Sequence, residues 1–388
     1  KTTEVGKAFG TIELYDQERV VHITTFRKDT YETDSRNPEI EKASDLVTDL
    51  SRRDFTINSI AYSLETNELI DPFSGLKDLA SGTISTPDDP IISFSDDPLR
   101  MLRVCRFAST HGFSPDNETY IAMKENIERI KIITKERIRD EINKLLVGKS
   151  PSMGIRTLVE SGLSLYIIPE INELKIEVDP KHHHKDVYEH TLAVLDGVPP
   201  KLTLRMGALL HDIAKPNTKG IENGKVHFRH HEVVGARMTK KILKGLKYDN
   251  KTIEDIALLV EQHLRPHTFK MGWTDSAVRR YIVDAGHMLE DLNELVRADV
   301  TTKNKIKAKE IYENLDEMEK RIEEVKAKEE LSKIRPALSG DEIMEHFNIQ
   351  PGPKVGVIMK ALYEQRINDG EVSKEDALKL AEETYKNL

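Results

Sequence analysis

The chain has 388 residues, of which 38% are hydrophobic and 32% charged, with a formal net charge of -9 and a single cysteine. That length exceeds one ordinary core and predicts two or three domains, while the composition suits a soluble, helix-rich protein and excludes a disordered one. A lone Cys105 excludes an internal disulfide and points to core packing in a reducing compartment; no apolar run reaches the roughly 18 residues of a membrane span, so a cytoplasmic protein with no membrane partner is expected.

The first residue is Lys1, and Val5 to Leu14 already has the pattern of a strand, so the start is expected to cut through a domain. Ala8 to Leu14, Val20 to Phe26 and Ile57 to Tyr62 are β-rich and separated by polar stretches such as Tyr31 to Pro38, which predicts a partial α/β or α+β unit over residues 1–80. From Pro98 the pattern turns helical nearly to the end, with breaks at Lys149-Ser150-Pro151, Val198-Pro199-Pro200 and Arg265-Pro266. Between Lys303 and Leu331, the residues Ile311, Leu315, Met318, Ile322 and Val325 alternate at spacings of four and three, which predicts one long amphipathic helix packed on its own chain.

The acidic balance alone argues against a polyanionic partner, because nucleic-acid affinity comes largely from neutralised phosphates. Local clustering points the other way at Arg52-Arg53, at Arg100, Arg103 and Arg106, and at Lys135, Arg137 and Arg139. The run Asp49-Leu50-Ser51-Arg52-Arg53-Asp54-Phe55-Thr56-Ile57-Asn58 brings two arginines, carboxylates and an amide together. Arginine offers a planar fork of donors to triphosphate oxygens, and Asp or Asn can bracket a ribose hydroxyl. A solvated basic turn before a buried strand explains the same residues equally well.

In Asp96-Asp97-Pro98-Leu99-Arg100-Met101-Leu102-Arg103, proline suits the first turn of a helix and the aspartate before it can cap. An aspartate beside a base accepts from the exocyclic amine of C or A while an arginine donates to the neighbouring ring atom, which rejects U and G. A capped helix with an i,i+3 ion pair is the competing account.

These stretches, in this order, resemble the class II tRNA nucleotidyltransferase and poly(A) polymerase family. The resemblance also takes in Val5-Gly6-Lys7-Ala8-Phe9-Gly10, Thr24-Thr25-Phe26-Arg27, the segment Asp71-Pro72-Phe73-Ser74-Gly75 and the helical Glu136-Arg137-Ile138-Arg139-Asp140-Glu141. It implies that Arg53, Asp54 and Asn58 contact ribose and triphosphate, that Asp97, Arg100 and Arg103 form the base-reading edge, and that Tyr31 to Pro38 is a loop near the reaction centre. The family's Gly-Gly turn and Asp-x-Asp pair for Mg²⁺ would precede Lys1; Asp16-Gln17-Glu18 is the nearest imitation, and His22 stands where the family often has an acid. The chain as given is therefore expected to need an upstream segment or a partner chain for polymerisation.

The second half supplies His190, the pair His211-Asp212 followed by Lys215, then His231, His263 and Asp299, each in a helical context. Five such elements in one helical domain point to a metal rather than to packing. The succession resembles the HD superfamily of metal-dependent phosphohydrolases. It implies that His190, His211, Asp212 and Asp299 hold one metal, that His231 and His263 hold a second or touch phosphate, and that Lys215 and Asp212 act in catalysis. The donor set favours a divalent transition metal (Mn²⁺, Ni²⁺, Co²⁺ or Fe²⁺), with Mg²⁺ also compatible. His182-His183-His184, His227, His230 and His267 are read as outside the site.

Near the end, Pro351-Gly352-Pro353-Lys354 reads as a tight turn opening a helix, either a tRNA-backbone contact or a plain corner. The fold class expected is α+β: an incomplete nucleotidyltransferase head at 1–80, a helical neck at 81–170, an HD body at 171–302 and a helical, tRNA-binding tail at 303–388. The function implied is template-independent addition of C and A from CTP and ATP to the tRNA 3′ end, with Mg²⁺, plus phosphohydrolysis. The rivals are an HD phosphodiesterase or phosphatase with a relic RNA-binding polymerase half, and a poly(A) polymerase of the same family.

Overall fold

The computed structural model describes residues 2–3, 11–16, 19–30, 39–43, 45–176, 186–302, 304–328 and 336–388. The chain divides into two compact units, 1–254 and 255–388. Tyr31 to Pro38 and His182 to His184, both singled out in the sequence, lie outside the described residues, as do residues 8–10 of the strand expected over Ala8 to Leu14.

In the first unit, β1 (Thr2–Thr3), β2 (Thr11–Asp16) and β3 (Arg19–Thr24) form an antiparallel sheet. The register sets Ile12 opposite Ile23 and Leu14 opposite Val21, so four apolar side chains share one face. His22 pairs across the strands with Glu13, its side chain 60% exposed, as a solvent-facing strand residue. Strands β4 (Arg27–Thr30) and β5 (Glu39–Lys42) make a second antiparallel pair. After α1 (Leu46–Ser51), the stretch Ile57 to Tyr62 is not one strand: a 3-10 turn covers Thr56–Asn58 and β6 (Ala61–Ser63) pairs only then with β7 (Glu68–Ile70). The fully buried Ser59 is the cause, because its hydroxyl donates to the carbonyls of Leu50 and Phe55, both at 3.0 Å, and curls the chain back.

Next come α2 (Gly75–Ser81), β8 (Thr83–Ile84), α3 (Pro90–Asp96), α4 (Leu99–His111), β9 (Ser114–Pro115), α5 (Asn117–Glu125), α6 (Lys135–Leu146), α7 (Pro151–Glu160), α8 (Ser164–Ile167) and α9 (Glu170–Glu173). Helix α4 is the centre of this layer: Met101, Val104 and Cys105 are fully buried, and α6 and α7 pack on it through Ile142, Leu146, Ile155 and Leu158. Close approach needs Gly154, where a Cβ would meet the Cys105 carbonyl oxygen at 2.8 Å. Burial pushes the Cys105 thiol far above its usual range, so it packs as an apolar group. The unit closes with α10 (Val187–Gly197), α11 (Leu202–Leu210), α12 (Lys215–Thr218), the hairpin β10 (Lys219–Glu222) and β11 (Lys225–Phe228), and α13 (His231–Gly245); α14 (Asn250–Gln262) contains the boundary.

The second unit holds α15 (Asp275–Ala285), α16 (Leu289–Ala298), α17 (Lys305–Lys328), α18 (Gly340–Phe347), α19 (Pro353–Asp369) and α20 (Lys374–Lys386). The long helix expected over 303–331 is α17, and Leu315, Met318, Ile322 and Val325 are all buried along its seam. Arg321 pairs with Asp275 of α15, and Arg297 of α16 reaches Asp316 at 2.6 Å and Glu319 at 2.7 Å. Pro353 opens α19, as the Pro-Gly-Pro turn predicts. The last three helices bury a small core of Leu338, Ile343, Ile358, Leu362, Ala377 and Ala381. Among the described residues no helix is long and apolar enough to cross a membrane.

Arg279 of α15 ties this core to the rest of its unit. It is buried, and it donates through Nε to the Ile367 carbonyl at 2.9 Å and through Nη2 to the Asn368 carbonyl at 3.0 Å, closing the end of α19. Hydrogen bonds from a charged donor contribute about 1.5–3 kcal/mol each. Arg279→Ala is therefore expected to destabilise the second unit by about 3 kcal/mol; a urea titration of the protein, with tail-helix signals followed by NMR, checks it.

Candidate functional site

The first cluster is built where α1 ends. Asp45 caps the helix by accepting from the Thr48 N–H at 2.8 Å, and the helix stops at Ser51, so Arg52, Arg53 and Asp54 leave in a turn. Asp49 is the anchor: it accepts from the Arg27 N–H at 3.2 Å, from Arg52 Nη2 at 2.7 Å and from Arg53 Nη2 at 3.4 Å. Burial pushes its carboxyl up, but the Arg52 and Arg27 hydrogen bonds outweigh that and hold it below the usual range.

From this anchor a chain of contacts runs outward. Arg53 Nη1 donates to the Asn58 carbonyl at 3.1 Å, Asn58 Nδ2 donates to Asp54 Oδ1 at 3.0 Å, and Arg103 Nη2 lies 2.6 Å from Asp54 Oδ2. Arg53, Asp54, Asn58 and Arg103 are thus brought into one patch. Arg100 sits deeper, with Nη1 donating to the Ser93 hydroxyl at 2.7 Å and Nη2 to the Arg52 carbonyl at 2.5 Å. Asp97 accepts from the Leu99 N–H at 3.2 Å, as a cap, and its other oxygen lies 3.7 Å from Arg137 of α6. The i,i+3 pair with Arg100 that the sequence also allowed is replaced by this contact with α6.

Sequence reasoning assigned no role to Asp49, Ser93, Asp71 or Asp78, although they hold the patch together. Asp71 accepts from the N–H groups of Gly75 at 2.7 Å and Leu76 at 2.9 Å, and Asp78 accepts from the Thr56 hydroxyl at 2.6 Å. Gly75 touches the turn that carries Asp54 and Asn58: a Cβ there would meet the Thr56 carbonyl oxygen at 2.2 Å. Gly75→Ala must move backbone, at a cost of about 1–3 kcal/mol, and is expected to lower both the melting temperature and the CTP affinity, read by calorimetry.

The second cluster lies in the same unit. Asp186 caps α10 through the Tyr188 N–H at 2.9 Å and so sets the helix that carries His190; His211 and Asp212 follow α11, and His231 opens α13. His190 Nε2 and His211 Nε2 lie 3.2 Å apart, and each faces Asp212 Oδ2, at 3.4 Å and 3.2 Å. His231 Nε2 lies 3.3 Å from Asp212 Oδ1. His211 and His231 each hold Nδ1 against the carbonyl three residues earlier, at 2.8 Å to Ala208 and 2.7 Å to Phe228, so that Nε2 is turned inward. Asp212 is 1% exposed; burial pushes its carboxyl up, but His211 and the contacts from His190 and His231 hold it far below the carboxylate range.

Three inward imidazole nitrogens around one buried carboxylate form a donor set that fits a divalent transition metal. Lys215 donates to Asp212 Oδ2 at 2.5 Å, so its ammonium sits on the carboxylate at the rim of the cluster. His230, with a positive φ of 60°, turns its ring 81% out to solvent. In the second unit, His263 repeats the inward pattern, with Nδ1 on the Val260 carbonyl at 2.7 Å. Asp299 there has a neighbour that sequence reasoning set aside, His267, at 3.4 Å.

Residues 1–85 match the poly A polymerase head domain, 112–175 the probable RNA and SrmB-binding site of polymerase A, and 182–345 the HD domain. An A-adding tRNA nucleotidyltransferase of Deinococcus radiodurans is 32% identical over 335 residues, covering 83% of this chain and 75% of that protein. A CC-adding tRNA nucleotidyltransferase of Thermus thermophilus is 29% identical over 344 residues, covering 86% and 76%. The Bacillus stearothermophilus CCA-adding enzyme, solved in complex with CTP, superposes on the whole chain and 85% of its own with a TM-score of 0.67 at 22% identity, a likeness of fold.

Proposed function

The chain belongs to the tRNA nucleotidyltransferase family, an enzyme family, and carries an HD domain, and on that premise we propose that it adds C and A from CTP and ATP to the 3′ end of tRNA. The observation that carries this reading is the linked patch Arg53–Asn58–Asp54–Arg103, with the deeper Arg100 beside it, in which guanidinium donors alternate with carboxylate and amide groups suited to triphosphate and ribose. The attacking 3′ oxygen of tRNA forms a bond to the α-phosphorus of the incoming nucleotide and pyrophosphate leaves. Residues of this chain bind and orient in that reaction: Arg53 takes phosphate oxygens, Asp54 and Asn58 the ribose, and Asp97, Arg100 and Arg103 the base edge. The family uses divalent metal, and Mg²⁺ supplies charge neutralisation for the phosphates when bound.

Relatives named A-adding, CC-adding and CCA-adding differ in which nucleotides they add, so the acceptor series is the test. The protein, with any segment upstream of Lys1, is given labelled CTP and ATP with tRNA ending at the discriminator base, at C or at CC. Addition of C, C and A followed by arrest is expected. Extension only of the CC end, arrest at CC, or a long A tract would each replace the reading with a specialist or a poly(A) polymerase.

A second activity rests on a separate observation, the convergence of His190, His211 and His231 on Asp212. These residues would hold divalent transition metal, and the resemblance to HD phosphohydrolases adds Asp299 to the ligands His190, His211 and Asp212 while giving His231 and His263 a second metal or a phosphate contact. Such an ion supplies charge to polarise a phosphoryl group and to lower the pKa of an attacking water. Lys215 is the residue within this cluster suited to orient a substrate phosphate, which gives a phosphodiesterase or phosphatase acting on RNA ends or nucleotides.

A further inference from the structure

From Arg237 to Lys247 the chain carries five cations and no acid, in a protein whose net charge is -9. Arg237, Lys240, Lys241 and Lys244 follow at i, i+3, i+4 and i+7 along α13, which puts them on one face, and all are exposed. The opposite face is core: Ala236, Thr239, Ile242, Leu243 and Leu246 are buried. Lys240 pairs with Glu254 at 2.5 Å, while among the described residues no carboxylate pairs with Arg237, Lys241, Lys244 or Lys247. A solvated charged face ordinarily interleaves both signs, as α17 does with Lys309–Glu313 and Lys326–Glu323. Helix-dipole complementarity accounts only for Lys244, in the last turn. The strip also continues past the helix, because Arg139 Nη1 donates to the Lys247 carbonyl at 2.7 Å, joining α13 to the basic Lys135, Arg137 and Arg139 of α6.

We propose that the exposed face of α13, extended by Lys247, docks the phosphate backbone of the tRNA substrate. This rests on the tRNA reading above and concerns a surface that neither nucleotide transfer nor metal binding uses. The Tyr248 ring beside the strip lies against Arg139 and its hydroxyl donates to Asn143, so the array of point charges suits a backbone contact that positions without reading sequence. A membrane surface is disfavoured because the apolar residues of α13 face the core and offer nothing to insert.

The test is the affinity of the full protein for tRNA lacking its CCA end, measured by fluorescence anisotropy across a salt series. In Arg237→Gln/Lys241→Gln/Lys244→Gln the slope of log affinity against log salt is expected to become shallower by about 2–3, with affinity falling about 10-fold or more. The charge-preserving Lys241→Arg/Lys244→Arg should keep the wild-type slope. If the triple variant melts early, the single variants Lys241→Gln and Lys244→Gln should each lower the slope by about 1. An unchanged slope in folded variants overturns the proposal and leaves the tRNA reading intact. Loss confined to phosphatidylserine vesicles overturns it in favour of a membrane contact, and a wild-type chain without tRNA affinity overturns both readings.

Discussion

Asp212→Ala should remove metal-dependent phosphoester hydrolysis, by about 10²-fold or more, while nucleotide incorporation into tRNA continues. His190, His211 and His231 all face Asp212, at 3.2–3.4 Å, and Lys215 donates to it as well. Three imidazoles and an ammonium around a carboxylate 1% exposed leave the pocket net cationic once the anion is gone, which repels a metal ion. Bound Mn²⁺ or Ni²⁺, counted by elemental analysis after gel filtration, should fall with hydrolysis of bis(p-nitrophenyl) phosphate and of a 2′,3′-cyclic nucleotide. Asp212→Asn keeps the shape and removes the charge, so it should lose metal with a native melting curve, separating a ligand from a packing residue. Retention of metal and of hydrolysis in both variants would remove Asp212 from the site.

The parts of this molecule legible in the sequence are those set by short-range rules. Pro353 after Gly352 marks the start of α19, the four-three spacing of Leu315, Met318, Ile322 and Val325 marks the buried seam of α17, and Asp97 before Pro98 caps α4. Histidines and aspartate that converge could be picked out because His211-Asp212 sits among regularly placed histidines on helices. What was not legible depends on groups far apart along the chain. The bend at Thr56–Asn58 in place of a strand needs the Ser59 hydroxyl to reach the Leu50 carbonyl, and the anchoring of Arg100 needs the Arg52 carbonyl, 48 positions away. Asp49 did carry a signal, an aspartate within the apolar turn Leu46–Leu50 followed by arginines at i+3 and i+4. It was overshadowed by the arginines themselves. The basic face of α13 was legible in composition, yet its exposure follows only from which side of the helix is core.

Arg100→Ala should lower both stability and CTP or ATP incorporation, and the ratio of the two effects separates its roles. The side chain is 9% exposed, and its donors to the Ser93 hydroxyl and the Arg52 carbonyl tie α3 and the Arg52–Arg53 turn to α4. Losing charged-donor hydrogen bonds of about 1.5–3 kcal/mol each should cost about 3 kcal/mol in all and lower the melting temperature by roughly 6–12 °C. A guanidinium carries five N–H donors, and these contacts leave others to face a base. If one of them reads C and A, discrimination against UTP and GTP should fall by about 10-fold or more, beyond what the loss of stability explains. Ser93→Ala tests the division: it removes one structural partner and leaves the guanidinium, so it should lower the melting temperature by about 2–4 °C with nucleotide discrimination intact. Arg100→Lys keeps the charge and loses the planar fork; discrimination lost there at a near-native melting temperature assigns Arg100 to the base, and discrimination retained assigns it to the frame that holds Arg53 and Asp54 in place.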